Sequence, residues 1–208
     1  NVGANLSGTS GADTFVSGPG NDTITGNGGS DLLDLTKAID ANGEVDVLSP
    51  LVVNLNDGTS TDTSGLLGVD TVIGINNVTT GGGNDSVIGS AGDNKIIAGD
   101  GNDTITGGGG SDTLIGGDGN DIITYNESAT IDGGDGEDTL ILSGSSINLA
   151  ATTVKATNIE ILDLADDAAE NTLRLSVDNV QSMGVKLDPE NDLGPTQFHR
   201  AVQPRCTL

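Results

Sequence analysis

The sequence predicts an all-β solenoid of stacked coils, because one nine-residue register recurs along much of the chain. The register reads G-G-x-G-x-D-x-U-x, where U is a large apolar residue, and it occurs nine times. Its fourth residue is Gly in every copy, although Gly accounts for only 33 of 208 residues. Its eighth residue is always large and apolar, and its sixth is Asp in eight copies and Asn in one. Composition alone does not produce three positions held through nine copies.

Each copy divides into a turn and a short strand. Its first six residues suit a turn, since Gly allows positive φ and close approach of backbones. The last three suit a strand whose U side chain points inward. Two copies then make one coil of 18 residues with strands on opposite faces. Turns that are 18 residues apart should therefore stack on the same side of the solenoid.

The copies divide the chain into segments. Residues 8–34 hold three copies, 80–124 hold five without a break, and 133–141 hold the ninth. Residues 35–79 lose the register but keep short β-rich runs at 52–55, 71–73 and 77–79, so we expect solenoid coils with longer turns. Residues 125–132 form a coil that is one residue short. The predicted solenoid domain spans 1–141.

Fewer glycines follow this domain. Short strands are expected at 140–142, 159–164 and 172–176. Because a solenoid must cover its exposed end, we interpret 142–184 as a capping segment. Residues 185–208 hold three of the five Pro and no periodicity, and we expect an irregular tail.

Composition narrows the function. The formal net charge is −24, which opposes binding to nucleic acid or to an anionic membrane and attracts cations. No apolar run is long enough for a transmembrane segment. Aromatic residues are 1%, which leaves only a thin aliphatic core, and a single Cys allows no intrachain disulfide. The fixed apolar position argues against disorder, at least once the charge is neutralised.

The stacked turns predict columns of carboxylates that need a cation. Carboxylates about 4.8 Å apart repel one another without a counter-ion. A hard divalent ion accepts six to eight oxygens, as Ca²⁺ does, whereas Mg²⁺ tends to keep its water. Zinc or copper would prefer His or Cys, which the turns lack. The predicted columns are Asp85, Asp103 and Asp121; opposite them Asn94 and Asp112; and in the first block Asp13 and Asp31, with Asp22 opposite.

These copies resemble the repeats-in-toxin (RTX) family, closely over 8–34 and 80–141 and in general style over 35–79 and 142–184. The resemblance implies a right-handed parallel β-roll with Ca²⁺ between stacked turns. In that family, the earlier turn gives the carbonyls of its second and fourth residues and its Asp. The turn one coil later gives the carbonyls of its first and third residues and its Asp.

Carried over residue by residue, the resemblance implies five calcium sites. Their ligand sets are Gly81, Gly83, Asp85 with Ala98, Asp100, Asp103; Gly99, Gly101, Asp103 with Gly116, Asp118, Asp121; Ser90, Gly92, Asn94 with Gly107, Gly109, Asp112; Thr9, Gly11, Asp13 with Gly26, Gly28, Asp31; and Gly117, Gly119, Asp121 with Gly133, Asp135, Asp138. We expect the last set to be looser, because the intervening coil is one residue short. Asn94 removes a charge and should weaken its site.

The resemblance also implies a biological setting. RTX proteins leave bacteria through type I secretion machinery and fold when they meet extracellular Ca²⁺. The chain would then be a fragment of a large exoprotein, since its repeats begin almost at once. Few aromatics, high Thr and strand-rich 142–184 favour a cell-surface adhesin or a surface-layer protein, with cell-surface or self-assembly contacts.

Two other classes of parent protein stay open. One is a secreted hydrolase or toxin in which this roll is a non-catalytic domain. The chain has no H-E-x-x-H and no G-x-S-x-G motif, so we expect it not to be an enzyme. The other is an ice-binding roll, which is disfavoured because such rolls place Thr before G-N-D. The residues at that position here are Pro19, Gly82, Asp100 and Asp118.

Overall fold

A computed structural model describes residues 3–37, 48–62, 68–125, 128–142, 146–148, 155–164 and 172–174. Within these ranges the chain is all-β apart from one 3-10 turn, Leu35–Lys37. Two sheets of mainly parallel strands face each other across a thin core and form a solenoid of about seven turns. The predicted tail at 185–208 and most of the predicted cap lie outside the described residues.

Except within residues 51–73, where three consecutive strands belong to the first sheet, the strands of the two sheets alternate along the chain. The first sheet, in spatial order, contains β1 Asn5–Ser7, β3 Thr23–Thr25, β7 Val69–Ile73, β6 Thr59–Asp62, β5 Leu51–Asn54, β9 Ser86–Ile88, β11 Thr104–Thr106, β13 Ile122–Thr124, β15 Thr139–Leu142 and β18 Ile161–Leu164. The second sheet contains β17 Lys155–Thr157, β14 Thr130–Asp135, β12 Thr113–Asp118, β10 Lys95–Asp100, β8 Asn77–Gly82, β4 Leu32–Asp34 and β2 Thr14–Phe15. A separate parallel pair joins β16 Ser146–Asn148 to β19 Thr172–Arg174.

The predicted 18-residue coil is confirmed by the strand register. Ile96 pairs with Leu114 in the second sheet, and Ile105 pairs with Ile123 in the first. The U residues therefore stack into two inward columns, and each is buried. The inward residues of the second sheet are Phe15, Leu33, Val78, Ile96, Leu114, Ile131 and Ala156.

The two faces use the register differently. In the regular block, the first-sheet strands β9, β11 and β13 have three residues, as the x-U-x pattern predicts. The second-sheet strands β10, β12 and β14 have six, because the first residues of the next turn continue the ladder, with Gly99 paired to Gly117. The turns that follow these longer strands are consequently held in backbone register.

The described parts of residues 35–79, which are 35–37, 48–62 and 68–79, depart from the prediction of coils with longer turns. Strands β5 and β6 form an antiparallel hairpin, and β6 also pairs antiparallel with β7. The hairpin lies inside the first sheet, between β7 and β9, whereas in the second sheet β4 stacks directly against β8. The segment thus continues the solenoid on one face and adds strands to the other. Longer turns alone do not describe that arrangement.

The chain leaves the register just after β4. Asp34 accepts hydrogen bonds from Thr36 and from Lys37 Nζ at 2.7 Å, and these stabilise the 3-10 turn. Burial acts to raise the pKa of the Asp34 carboxyl, but those bonds and the Lys37 charge outweigh it and lower the pKa. This turn ends the first block of copies.

Candidate calcium sites

The turns form two rims along the solenoid. We call the turns that lead from the first sheet to the second the first rim, which comprises 8–13, 26–31, 74–76, 89–94 and 107–112. The second rim leads from the second sheet back to the first and comprises 16–22, 80–85, 98–103, 116–121, 133–138 and 158–160. Because parallel strands stack in register, equivalent turn residues meet along each rim.

On the second rim, each carboxylate bonds to the backbone of the coil before it. The amide of Asp85 donates to Oδ1 of Asp103 at 2.7 Å, and the amide of Asp103 donates to Oδ1 of Asp121 at 2.8 Å. Asp121 donates in the same way to Asp138 at 2.8 Å. The predicted column of Asp85, Asp103 and Asp121 therefore exists, and it continues to Asp138, which the fifth ligand set had grouped with Asp121.

The last of these contacts changes one expectation. The Asp121–Asp138 pair was expected to be looser, yet its hydrogen bond is as short as the others. The missing residue of the coil 125–132 lies on the first rim, where the Gly-rich turn is absent. The second-rim turn 133–138 retains all six residues and stacks normally.

On the first rim, Asp13 donates its amide to Oδ1 of Asp31 at 2.9 Å, and Asn94 donates to Oδ1 of Asp112 at 2.9 Å. These are the two predicted stacks. Asn94 differs from an Asp because its Nδ2 donates to the carbonyl of Asn76 in the previous coil. Its Oδ1 turns instead toward its own turn and accepts from the amide of Ser90 at 2.7 Å.

Five buried carboxylate oxygens among the described residues have no hydrogen-bond partner: Oδ2 of Asp31, Asp85, Asp103, Asp121 and Asp138. An unpaired charged oxygen in a buried site is costly, and native proteins normally compensate it. Each of these carboxylates therefore uses one oxygen for the hydrogen-bond ladder and leaves the other for a different partner.

Burial perturbs these carboxyl groups. It raises the pKa of Asp103 to about 7, aided by the neighbouring charges of Asp85, Asp121 and Asp100 and opposed by the amide bond from Asp85. Burial likewise raises the pKa of Asp138 to about 6, with Asp121 and Glu160 adding to the effect. It raises the pKa of Asp85 to about 6 and also raises that of Asp121. Without a cation, these groups resist ionisation.

The glycines explain how the coils approach so closely. A Cβ on Gly101 would overlap the carbonyl oxygen of Gly83 in the previous coil, and Gly101 has a φ of +130°. Gly119 stands in the same relation to Gly101. At Gly101 and Gly119 the fourth position therefore requires Gly both for its backbone conformation and for the stacking distance.

The first position of a turn forms a cradle where it is Gly, whereas Ser17, Thr80 and Ala98 hold this position in three other turns. A Cβ on Gly116 would overlap both Oδ2 of Asp121 and the carbonyl oxygen of Gly133 in the next coil. The same pairing brings Asp13 Oδ2 together with the Gly26 carbonyl beside Gly8, each 2.7 Å from the added atom. A carboxylate of one turn and a first-position carbonyl of the next thus converge on one point, and both belong to one predicted ligand set.

The donor set fits Ca²⁺. The convergent atoms are carboxylate and backbone carbonyl oxygens, which are the ligands of a hard cation. The carbonyls of Asp118 and Asp135 each accept one amide bond at 2.7 Å, from Gly101 and Gly119, and a carbonyl oxygen has a second lone pair to offer. No three His, Cys, Asp or Glu side chains converge in the described part of the chain, so side chains alone would not form the site.

The remaining predicted ligands are main-chain carbonyls on the same rims. Those on the first rim are Thr9, Gly11, Gly26, Gly28, Ser90, Gly92, Gly107 and Gly109. Those on the second rim are Gly81, Gly83, Ala98, Gly99, Asp100, Gly101, Gly116, Gly117, Asp118, Gly119, Gly133 and Asp135. Each lies in a turn adjacent to the carboxylate with which it was grouped, and the assignment of individual carbonyls to an ion stays a prediction.

Asp22 has a partner that the repeat count missed. The amide of Asp22 donates to Oδ1 of Asp70 at 2.9 Å, and both carboxylates are buried. The hydroxyl of Ser17 bridges them, donating to Oδ2 of Asp70 and lying 3.3 Å from Oδ2 of Asp22. Asp70 continues the first-block column of the second rim.

Two further column members were also missed. Asn76 accepts from the amide of Asp31 at 3.3 Å, and Glu160 accepts from the amide of Asp138 at 2.9 Å. A partial register signals all three. Gly65-x-x-Gly68-x-Asp70-x-Val72 keeps four of the positions, whereas Asn76-x-Val78 and Glu160-x-Leu162 have a polar side chain at the sixth and an apolar one at the eighth.

Comparison with known proteins agrees with this geometry. A family model of the RTX calcium-binding nonapeptide repeat, in four copies, matches residues 7–37, 70–105, 79–114, 88–123 and 130–144. No curated protein gives a significant match. No helix within the described ranges is long and apolar enough to cross a membrane.

The repeats bind Ca²⁺ and form a structural, non-catalytic module. The chain belongs to the family of RTX calcium-binding nonapeptide-repeat proteins.

Proposed function

We propose that this module folds on binding Ca²⁺ outside the cell, after type I secretion, and forms part of a surface adhesin or a surface-layer protein. RTX repeat proteins are typically type I-secreted and extracellular. The observation that carries the folding step is the set of five buried carboxylate oxygens without a partner. They oppose the compact state until a cation pairs with them.

Calcium concentration would act as the switch. When a metal site exists only in the folded chain, the binding free energy becomes folding free energy. Extracellular calcium modules work at about 10⁻⁴–10⁻³ M. Cytosol with much less free Ca²⁺ would leave the chain unfolded and ready for export. The net charge of −24 would support that state through self-repulsion.

An exposed aliphatic surface supports the adhesin or surface-layer role. Several large apolar side chains on the first sheet remain at least one-third exposed. They are Val52, Val69, Ile73, Ile88, Ile122 and Ile161. Exposed apolar surface of this kind is often used for protein contacts. We propose that this outer face makes the cell-surface or self-assembly contacts.

Circular dichroism tests the folding switch. We expect a disordered spectrum in chelator and a β spectrum on adding Ca²⁺, with Mg²⁺ much less effective at equal ionic strength. A β spectrum that survives complete removal of divalent ions would refute the switch.

Light scattering of the calcium-loaded chain, together with binding to whole cells, tests the surface role. We expect assembly or cell binding to require Ca²⁺ and to fall when Ile88 and Ile122 are replaced by Thr. A chain that stays monomeric and binds no cells in Ca²⁺ would favour the roll of a secreted hydrolase or toxin over a surface protein.

A further inference from the structure

Two unusually short turns interrupt the rims in the same way. Gly74-Ile75-Asn76 on the first rim and Asn158-Ile159-Glu160 on the second have three residues where the regular turns have six. Each begins with a positive φ, +65° at Gly74 and +51° at Asn158. Each places its Ile in the core. The two turns therefore share one conformation although their sequences match only at Ile.

Their hydrogen bonds also correspond. The carbonyl of Asp31 accepts from the amides of Asn76 at 3.2 Å and Asn77 at 2.9 Å. The carbonyl of Asp138 accepts from Glu160 at 3.1 Å and Ile161 at 2.9 Å. In both turns the third side chain occupies the place of the next Asp in the column. Each short turn thus stacks on the last regular turn of a block.

Each short turn faces a carboxylate oxygen with no partner. Asp31 and Asp138 are both 0% exposed, and Oδ2 of each lacks a hydrogen bond. Three of the five such oxygens, on Asp85, Asp103 and Asp121, are explained by predicted calcium sites in which their turn is the earlier one. Asp31 and Asp138 enter the predicted ligand sets only as the later Asp of a pair. The other two lie where the nonapeptide pattern assigns nothing to the next coil.

The atoms around these two oxygens reproduce the regular cradle. A Cβ on Gly133 would overlap Asp138 Oδ2 and the carbonyl oxygen of Asn158. A Cβ on Gly26 would overlap Asp31 Oδ2 and lie 2.5 Å from the carbonyl oxygen of Gly74. In the regular turns, the Gly133 carbonyl lies beside Asp121 Oδ2. The carbonyl of the first residue in each short turn takes the equivalent position beside Asp138 or Asp31.

We propose that the turns 74–76 and 158–160 complete two further calcium sites, with Asp31 and with Asp138 respectively. The inference rests on calcium binding by the regular turns. At the second-rim end, the carbonyls of Gly134 and Gly136, the Asp138 carboxylate, the Asn158 carbonyl and the Glu160 carboxylate form the donor set. The matched repeat ends at 144, before Asn158 and Glu160.

The two sites differ in charge and so in affinity. The Asp138–Glu160 site has two carboxylates, as a regular site has, whereas the Asp31–Asn76 site has one carboxylate and one amide. Both lack the third-position carbonyl of a six-residue turn, and Ca²⁺ accepts water in such a place. Because ligand charge sets calcium affinity, the Asp138–Glu160 site is the tighter of the two.

Ion counting tests the stronger site. Glu160→Gln keeps an acceptor for the Asp138 amide but removes the charge, and Asp163→Asn makes the same charge change on an exposed side chain of β18. We expect native mass spectrometry and calorimetry to show one ion weakened by about tenfold or more in E160Q. The D163N chain should keep every ion. Equal ion number and affinity in the two variants would overturn the inference.

A gain of affinity tests the weaker site and does not depend on a destabilised variant. Asn76→Asp supplies a second carboxylate opposite Asp31, and Asn56→Asp adds the same charge in the exposed hairpin turn. We expect N76D, and not N56D, to tighten one ion by about tenfold. No change in N76D would count against the short-turn site. A wild-type chain that binds no Ca²⁺ would refute the proposed function itself. If the wild-type chain binds Ca²⁺ but neither E160Q nor N76D changes the number or affinity of the bound ions, only this inference would be refuted.

Discussion

Replacing Asp103 by Asn should change stability in opposite directions with and without calcium. Asp103 lies between two predicted sites, since it accepts from Asp85 and donates to Asp121. It is 1% exposed, and its Oδ2 has no partner. The substitution keeps the shape and one acceptor oxygen and removes one charge from both sites.

The magnitude in chelator follows from the pKa. The folded, calcium-free chain raises the pKa of Asp103 from 3.8 to about 7. At about pH 8 the carboxyl group is ionised in both folded and unfolded chains, so the folded chain bears the whole penalty. With about 1.4 kcal/mol per tenfold change and allowance for screening at the rim, the penalty is on the order of 2–4 kcal/mol. Asn does not bear it, so D103N should fold more readily in chelator.

With calcium the sign reverses. A site whose ligand is present at a hundredfold excess over its dissociation constant stabilises the fold by about 2.7 kcal/mol. Weakening the two sites that share Asp103 should therefore cost up to about 5 kcal/mol. The exposed Asp100 of the same turn provides a control, because Asp100→Asn changes net charge equally and leaves the third-position carbonyl in place.

Circular dichroism during calcium titration and thermal unfolding in saturating Ca²⁺ provide the two measurements. We expect D103N to have more β signal than wild type in chelator and a lower melting temperature in Ca²⁺. D100N should follow wild type within about 0.5 kcal/mol. If D103N were destabilised in both conditions, or in neither, the assignment of Asp103 to two shared sites would be wrong.

Three further predictions use the same assays. The pKa values of Asp85, Asp103 and Asp138 are raised in the folded, calcium-free chain, so their stabilising contribution is fully present below about pH 4 and is lost as pH rises through 6–7. In chelator, acidification from about pH 8 to 5 should therefore increase β structure, whereas in Ca²⁺ the same acidification should release ions to a calcium electrode. An increase of β structure on acidification in both conditions, or in neither, would contradict this prediction. Gly101→Ala should prevent regular stacking and reduce the β content in Ca²⁺, because the added methyl group overlaps the Gly83 carbonyl. Gly18→Ala, where nothing lies within 4 Å of the added methyl group, should leave the circular dichroism spectrum unchanged. Equal losses of β content in the two variants would count against the stacking explanation. Asn94→Asp should raise the calcium affinity of the site that residue 94 shares with Asp112. In chelator it should lower the β content, because a carboxylate replaces the amide that donates to the Asn76 carbonyl. A calcium titration that gives the wild-type affinity would argue against that site.

The repeat spacing was sufficient to predict the rims, because strict 18-residue periodicity leaves one way to stack the turns. Asp85, Asp103 and Asp121 fall in line for that reason, and the hydrogen bonds confirm it. The inward aliphatic columns follow from the same count. No long-range information beyond the register was needed for these features.

Where the register lapses, local pattern does not determine the partner strand. Residues 51–54 are mainly β-branched or apolar, whereas 59–62 hold only Thr, Ser and Asp, and their antiparallel pairing depends on a turn that the register does not describe. Asp70 is brought beneath Asp22 only because β7 pairs with β3 across 48 residues. The one-residue deletion in 125–132 left the second rim intact, since its effect is confined to the opposite turn.

Stacking and ion binding in this fold depend on the same carboxylate. One oxygen of each column Asp accepts the amide of the previous coil, which fixes the side chain and brings adjacent charges to about the 4.8 Å strand spacing. The hydrogen bond that holds the coils in register thereby creates the repulsion, and it aims the second oxygen at the carbonyl of the next coil. A cation at that point relieves the repulsion and joins the two coils at once. Adding a coil and filling a site are therefore one step, so we expect folding to advance coil by coil as calcium binds.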